Sequence, residues 1–156
     1  LIILGIDPGI ASTGYGLIDV SGGETRLIGY GVISTSPREA HVARLKTIYA
    51  DVSELIDRYE PDIVALEAIY QSRNLKSLAD VSEAIGVISL AAGNSNRDIV
   101  KFTPLKVKST IVGYGKAKKE QVQLMVSNFL NLDEPVSPHH AADALAIAVC
   151  YRNLYC

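Results

Sequence analysis

Two short stretches of this chain are almost purely aliphatic, and each ends in an acid. Leu1 to Ile6 reads LIILGI and stops at Asp7-Pro8-Gly9; Ile63 to Leu66 reads IVAL and stops at Glu67. A run of four to six apolar residues closed by a turn signal is too short for a buried helix. It reads as a strand covered on both faces. Two such strands require helices above and below one sheet, which points to an α/β architecture.

The intervening segments fit that frame. Gly14 to Val20 and Thr25 to Ser34 are strand candidates, joined by the hairpin signal Ser21-Gly22-Gly23-Glu24. Arg38 to Tyr59 places Val42, Leu45, Ile48, Tyr49, Val52, Leu55 and Ile56 on one helical stripe, and Pro61 follows it. Asn74 to Ala92 repeats the helical spacing with Leu78, Val81, Ile85 and Ile88. Ile99 to Phe102 is a short strand, after which Thr103 can cap a helix that has Pro104 at its first position. Lys118 to Leu130 and Pro138 to Arg152 are predicted as the closing helices. Strands 1 to 3 have short connections and can form an antiparallel meander. Strands 4 and 5 arrive through helices and can lie parallel to strand 1. The resulting expectation is a mixed five-stranded sheet, order 3-2-1-4-5, with helices on both faces. That is a ribonuclease H-like arrangement.

The 156 residues fit one domain spanning 1–156. Hydrophobic residues at 48% and charged residues at 21% exclude a disordered or collagen-like chain. Cys150 and Cys156 form no CxxC pair and no framework, so a disulfide scaffold and a structural zinc site are not expected. No apolar run reaches membrane-spanning length, and no basic segment precedes the apolar start. A cytoplasmic location is the expectation. The net charge of −2 argues against a general nucleic-acid coat protein, but its distribution is uneven. Lys101 to Lys119 contains six lysines and no acid; the other residues carry nine basic against seventeen acidic groups, a net of −8. A basic segment on an acidic body is either a phosphate-binding footprint or a solvated lysine-rich surface.

Asp7 and Glu67 sit at the carboxyl ends of the two central strands. If those strands are neighbours, the acids lie side by side where open α/β sheets bind ligands. Each has a plain reading alone, a turn for Asp7 and a water-facing strand end for Glu67. Together they repel unless a cation lies between them, and oxygen donors suit Mg²⁺ or Mn²⁺. The final helix begins HHAADALAIAVCY, so an acid, Asp143, lies one turn inside an otherwise small or aliphatic helix. It needs a partner there: a shared cation, or the helix N-terminus itself. His140 at i,i+3 and His139 at i,i+4 can both share its face. Such a cluster with two divalent ions suits phosphodiester hydrolysis. His140 would then be a ligand, or would position or deprotonate the attacking water.

Four segments together resemble the RuvC family of bacterial Holliday junction resolvases. They are GIDPG with TGYG between Gly5 and Gly16, ALEAIY at Ala65 to Tyr70, VKSTIVGYGKAKKEQVQLMV at Val107 to Val126, and HHAADALAIA at His139 to Ala148. The resemblance spans nearly the whole chain, in order. It implies a homodimeric, Mg²⁺-dependent endonuclease, with two ions per site and Mn²⁺ as a substitute. Such dimers bind four-way DNA junctions and nick two opposing strands symmetrically, leaving 5′-phosphate and 3′-hydroxyl ends. It maps the catalytic, metal-binding tetrad onto Asp7, Glu67, His140 and Asp143. Many members have Asp where this chain has His140. The mapping also places DNA-binding residues at Lys108 and Lys119. Tyr70 stands where a Phe often stacks near the crossover. The helix 74–92 takes a share in the dimer, and the RuvA–RuvB branch-migration complex is the implied partner. The alternatives are a YqgF-type ribonuclease H-like enzyme acting on RNA, an actin-like ATP-binding domain suggested by Gly5 to Gly9, and a catalytically dead DNA-binding module. The second would need two domains and another phosphate loop. Intact acids at all three positions argue against the third.

Overall fold

The computed structural model describes residues 1–69 and 75–156. In chain order the elements are β1 (Ile2–Asp7), β2 (Ser12–Ser21), β3 (Glu24–Ser34), α1 (His41–Tyr59), β4 (Ile63–Glu67), α2 (Leu75–Asn94), β5 (Asp98–Phe102), α3 (Pro104–Val112), α4 (Lys119–Phe129) and α5 (His139–Tyr155). The sheet order is β3-β2-β1-β4-β5, with β1, β2 and β3 antiparallel and β1, β4 and β5 parallel. This is the ribonuclease H-like arrangement expected from the burial pattern.

Local chemistry sets the boundaries. Gly22 and Gly23 turn the β2–β3 hairpin with φ of 59° and 82°, positive at both central positions as a type I′ turn requires. Thr103 caps α3 by accepting from the Lys106 N–H at 3.2 Å, Pro104 opens the helix, and Gly113 ends it in the left-handed region. The expected helix from Arg38 starts later, at His41. The Ser36 N–H donates to the Glu39 carboxylate at 3.0 Å, and the Glu39 N–H to the Ser36 carbonyl at 3.1 Å. That turn competes with helix at residues 36–39.

Two cores lie on opposite faces of the sheet. Leu4, Ile6, Leu17, Val64 and Leu66 pack against Ile48, Val52 and Ile56 of α1 and Ala84, Ile85 and Ile88 of α2. Ile3, Ile18, Ala65 and Phe102 pack against α3, α4 and the nearly all-buried α5. Alternation then settles where the acids point. Ile3, Gly5 and Asp7 share the α5 face of β1; Ala65 and Glu67 share that face of β4. The β1–β4 register sets Ile6 beside Leu66, so the two acids follow one another off adjacent strand ends.

α5 lies unusually close to this sheet because glycines clear its path. A Cβ on Gly5 would stand 2.1 Å from the Ala144 carbonyl oxygen and 2.8 Å from the Ala148 nitrogen. On Gly14, paired with Asp7, a Cβ would stand 1.9 Å from the His140 carbonyl oxygen. These neighbours are backbone and cannot rotate away. Gly5→Ala is therefore expected to lift α5 and destabilise the chain by about 3 kcal/mol, measured by urea denaturation. A loss below about 1 kcal/mol would contradict backbone-to-backbone packing of α5 on β1.

Candidate active site

Three elements bring four titratable side chains to one end of the sheet. Asp7 closes β1, Glu67 closes β4, and His140 and Asp143 lie in the first turns of α5. The Glu67 position is fixed by β5: Glu67 registers with Phe102, whose carbonyl accepts the Ala68 N–H at 2.7 Å. Beyond Asp7, buried Thr13 donates to the Gly9 carbonyl at 2.7 Å, and Thr35 donates to the Ile10 carbonyl at 2.5 Å. The loop after β1 is thus held at two points.

His140 and His139 face different partners. The His140 Nδ1–H donates to Asp7 Oδ2 at 2.8 Å. His139 turns to α4, where its Nδ1 accepts from Gln123 Nε2 at 2.8 Å. Asp143 is 27% exposed and carries its own counter-ion: Lys119 Nζ stands 2.5 Å from Asp143 Oδ2. The partner that Asp143 requires is therefore a lysine of α4 in this structure. Lys108 joins Lys119, Glu67 and Asp143 in lining a cleft of about 210 Å³, with Pro104, Val107 and Val122 as its apolar wall. A second groove, of about 350 Å³, is lined by Gly9, Ser12, Asp80, Val81 and His140. Lys101, Lys106, Lys116 and Lys118 are exposed and distributed over β5, α3 and the approach to α4. Tyr70 lies outside the described residues.

The electrostatics record the crowding. Burial pushes the Glu67 carboxyl up to about 7, helped by the charges of Asp7 and Asp143 and opposed by Lys119 and Lys108. Burial also raises Asp7 above the usual carboxylate range; the His140 hydrogen bond pulls it back and the Asp143 charge pushes it further. Among the described residues no three His, Cys, Asp or Glu side chains converge tightly enough to grip an ion as they stand. The donor chemistry nevertheless fits a hard divalent cation. Two half-buried carboxylates, Asp7 and Glu67, hold raised pKa values mainly through burial and partly through repulsion from neighbouring acids, and added positive charge relieves that directly. Lys119 and His140 supply such charge or hydrogen bonding to the acids now, so they are the groups that must give way or share.

Gln123 and Gly14 were not singled out from sequence. A glutamine in a helix reads as solvent-facing, and its flanking Val122 and Val126 were the only signal of burial. For Gly14 the signal was the glycine alternation in Thr13-Gly14-Tyr15-Gly16, which marks a strand face against a close neighbour.

A carboxyl with a raised folded-state pKa binds more protons folded than unfolded across the interval between its two values. Stability then falls as pH rises through that interval. For Glu67 the interval runs from 4.5 to about 7. The metal-free chain is expected to melt at lower temperature at pH 7.5 than at pH 5, and Glu67→Gln to flatten that dependence. A wild-type profile that rises over the interval and is unchanged by Glu67→Gln would show the carboxyl to be solvated and unperturbed.

Comparison with known proteins places the whole chain in one family. Residues 3–151 match the family described as Crossover junction endodeoxyribonuclease RuvC. The protein of that name from Alkaliphilus metalliredigens is 48% identical over 153 residues, covering 98% of this chain and 93% of the relative. The Thermus thermophilus RuvC structure superimposes with a TM-score of 0.92 at 36% identity, covering 98% of this chain and 94% of that one. The same protein in complex with a Holliday junction substrate gives 0.90 at 34% identity, with the same coverage. On sequence and overall fold, this chain belongs to the RuvC family of crossover junction endodeoxyribonucleases.

Proposed function

We propose that this chain resolves four-way DNA junctions by metal-dependent nicking of two opposing strands, with Asp7, Glu67, His140 and Asp143 as the residues of the reacting centre. The observation that carries the reading is the convergence of Glu67, Asp143 and two lysines in one cleft beside the Asp7–His140 pair. Acids and lysines lining one cleft suit phosphodiester hydrolysis: carboxylates for hard cations, ammonium groups for the phosphate.

Each residue takes a role from its position. Asp7 and Glu67, fixed by strand register, and Asp143, fixed by α5, would hold Mg²⁺, two ions per site, with Mn²⁺ as a substitute. When bound, the ions supply a lower pKa for the attacking water and a counter-charge for the leaving 3′ oxygen. His140, already donating to Asp7, has a second ring nitrogen to orient or accept a proton from that water. Lys108 and Lys119 bind the scissile strand's phosphates at the mouth of the cleft, and the groove past His140 continues the path. The products are a 5′-phosphate and a 3′-hydroxyl.

Two such sites are needed for paired cuts, so the acting species is a homodimer, each copy contributing one nuclease domain of residues 1–156. Tyr70 is a candidate for stacking on a base near the crossover. The reading extends to recombination and repair, to the RuvA–RuvB machinery as partner, and to the cytoplasm. None of the described helices is long and apolar enough to cross a membrane.

Asp7→Asn, Glu67→Gln and Asp143→Asn each keep shape and remove charge. Each is expected to cut a synthetic four-way junction roughly 10²–10³-fold more slowly in Mg²⁺, while gel-shift affinity without cutting stays close to wild type. A variant that cuts at the wild-type rate does not bear on the reaction. Replacement of His140 separates its possible roles: His140→Asp retains substantial activity, because a carboxylate is a competent ligand for a hard ion, whereas His140→Ala is much slower. Equal activity of His140→Ala and wild type in the same assay would take His140 out of the centre.

A further inference from the structure

α4 and α5 are joined by two cross-links spaced one helical turn apart on both helices. Lys119 meets Asp143 at 2.5 Å, and Gln123 meets His139 at 2.8 Å. Moving four residues forward on α4 moves four residues back on α5, so these are successive rungs between antiparallel helix segments. The first rung lies in the cleft. The second lies behind it and is built on one of the few buried polar side chains among the described residues, Gln123, which is only 8% exposed.

We propose that the Gln123–His139 hydrogen bond is a latch that sets the register of α4 on α5 and so positions Lys119 at Asp143. The inference rests on the nuclease reading for its consequence in catalysis, though not for its geometry. A lysine side chain has many rotamers and is half-exposed here, with 48% of its surface open. Its ammonium stays in the cleft only if the helix beneath it is held. The apolar contacts of Val122 and Val126 supply attraction without direction, and would tolerate a rotation or slide of α4. A buried amide does not: it must find its partner in one geometry or lose its hydrogen bond. His139 is the first residue of α5, and neighbouring His140 holds Asp7. The latch therefore ties the lysine-bearing helix to the same turn that carries the imidazole. At the other side of α4, Gln121 Oε1 accepts from the Lys118 N–H at 2.9 Å and from the Tyr114 hydroxyl at 3.1 Å, fixing the preceding loop to the helix start. Gln123 and His139 are positioning residues on this account, and neither touches substrate.

The test uses the full chain in two measurements. The first needs no metal and no DNA. Lys119 acetylation by an N-hydroxysuccinimide ester is followed by peptide mass spectrometry, with Lys118 as internal control. Gln123→Leu keeps side-chain bulk and removes the amide; it is expected to raise Lys119 labelling to the level seen in Asp143→Asn, with Lys118 unchanged. His139→Ala, at an exposed helix start, is expected to do the same should Gln123→Leu fold poorly. Gln123→Glu reverses the bond, accepting from a His139 that carries its proton on Nδ1, and should restore protection. Lys119 labelling that is unaltered in both Gln123→Leu and His139→Ala overturns the latch.

The second measurement is junction cleavage in Mg²⁺. Gln123→Leu should lower kcat/KM about tenfold, Gln123→Glu should recover most of it, and Gln123→Leu should cost nothing further in a Lys119→Ala background. Multiplicative losses in the double variant would mean that Gln123 does not act through Lys119, and would overturn the proposal. If wild-type protein fails to cut junctions, the nuclease reading falls, and the labelling experiment still decides the latch.

Discussion

The approach of α5 to the sheet, backbone against backbone, governs the rest of the molecule. Strand ends alone would present Asp7 and Glu67 to water, as strand-end acids ordinarily are. A helix lying directly on Gly5 and Gly14 brings its first turns over those ends and encloses them with His140 and Asp143. The same closeness explains why α5 is so rich in alanine. A larger residue at Ala144 or Ala148, which lie against Gly5, would hold the helix off and widen the gap between its acid and those of the strands.

Enclosure has an electrostatic cost, and the structure shows how it is met. Three carboxylates within one another's field are balanced by two lysines and an imidazole, and Glu67 still titrates near 7. On the proposed reading, a site in that condition draws in cations without being locked to them. The lysines temper the acids in the free chain, and on the proposed reading they also offer ammonium groups to the entering phosphate. On this view the lysine segment of an acidic protein is no general coating for DNA. Two of its members sit in the cleft, and the others are exposed on β5, α3 and the approach to α4.

Legibility in the sequence followed the physics of each feature. β1 and β4 stood out because a strand buried on both faces leaves an unbroken aliphatic run. The sheet order followed from their centrality and the connection lengths. The placement of Asp7 and Glu67 was readable because strand alternation and register are rigid rules. Helix starts were less so: a turn made by the Ser36 backbone and Glu39 delayed α1 to His41, and such local bonds leave little trace in hydrophobic spacing. Asp143 was visible as an acid in an apolar helix, but its lysine partner was not. Lys119 is 24 residues away, and only the packing of α4 on α5 brings it there. Gln123 was invisible for the same reason, since a polar helix residue signals burial only through its tertiary partner. The preference for His140 over His139 came from family resemblance and from its i,i+3 spacing to Asp143; the structure supplies a physical distinction, one imidazole on Asp7 and the other on α4.

The central claim is that strand register and the seating of α5 build one cation-seeking cluster from Asp7, Glu67 and Asp143. Its most direct test is a crystal of the chain soaked in Mn²⁺ and examined by anomalous scattering. The account predicts a peak within coordination distance of the Asp7 and Glu67 carboxylates, with Lys119 Nζ displaced from Asp143. A fully soaked crystal with no peak there, with Lys119 still paired to Asp143 and manganese bound only at other acids, would contradict it.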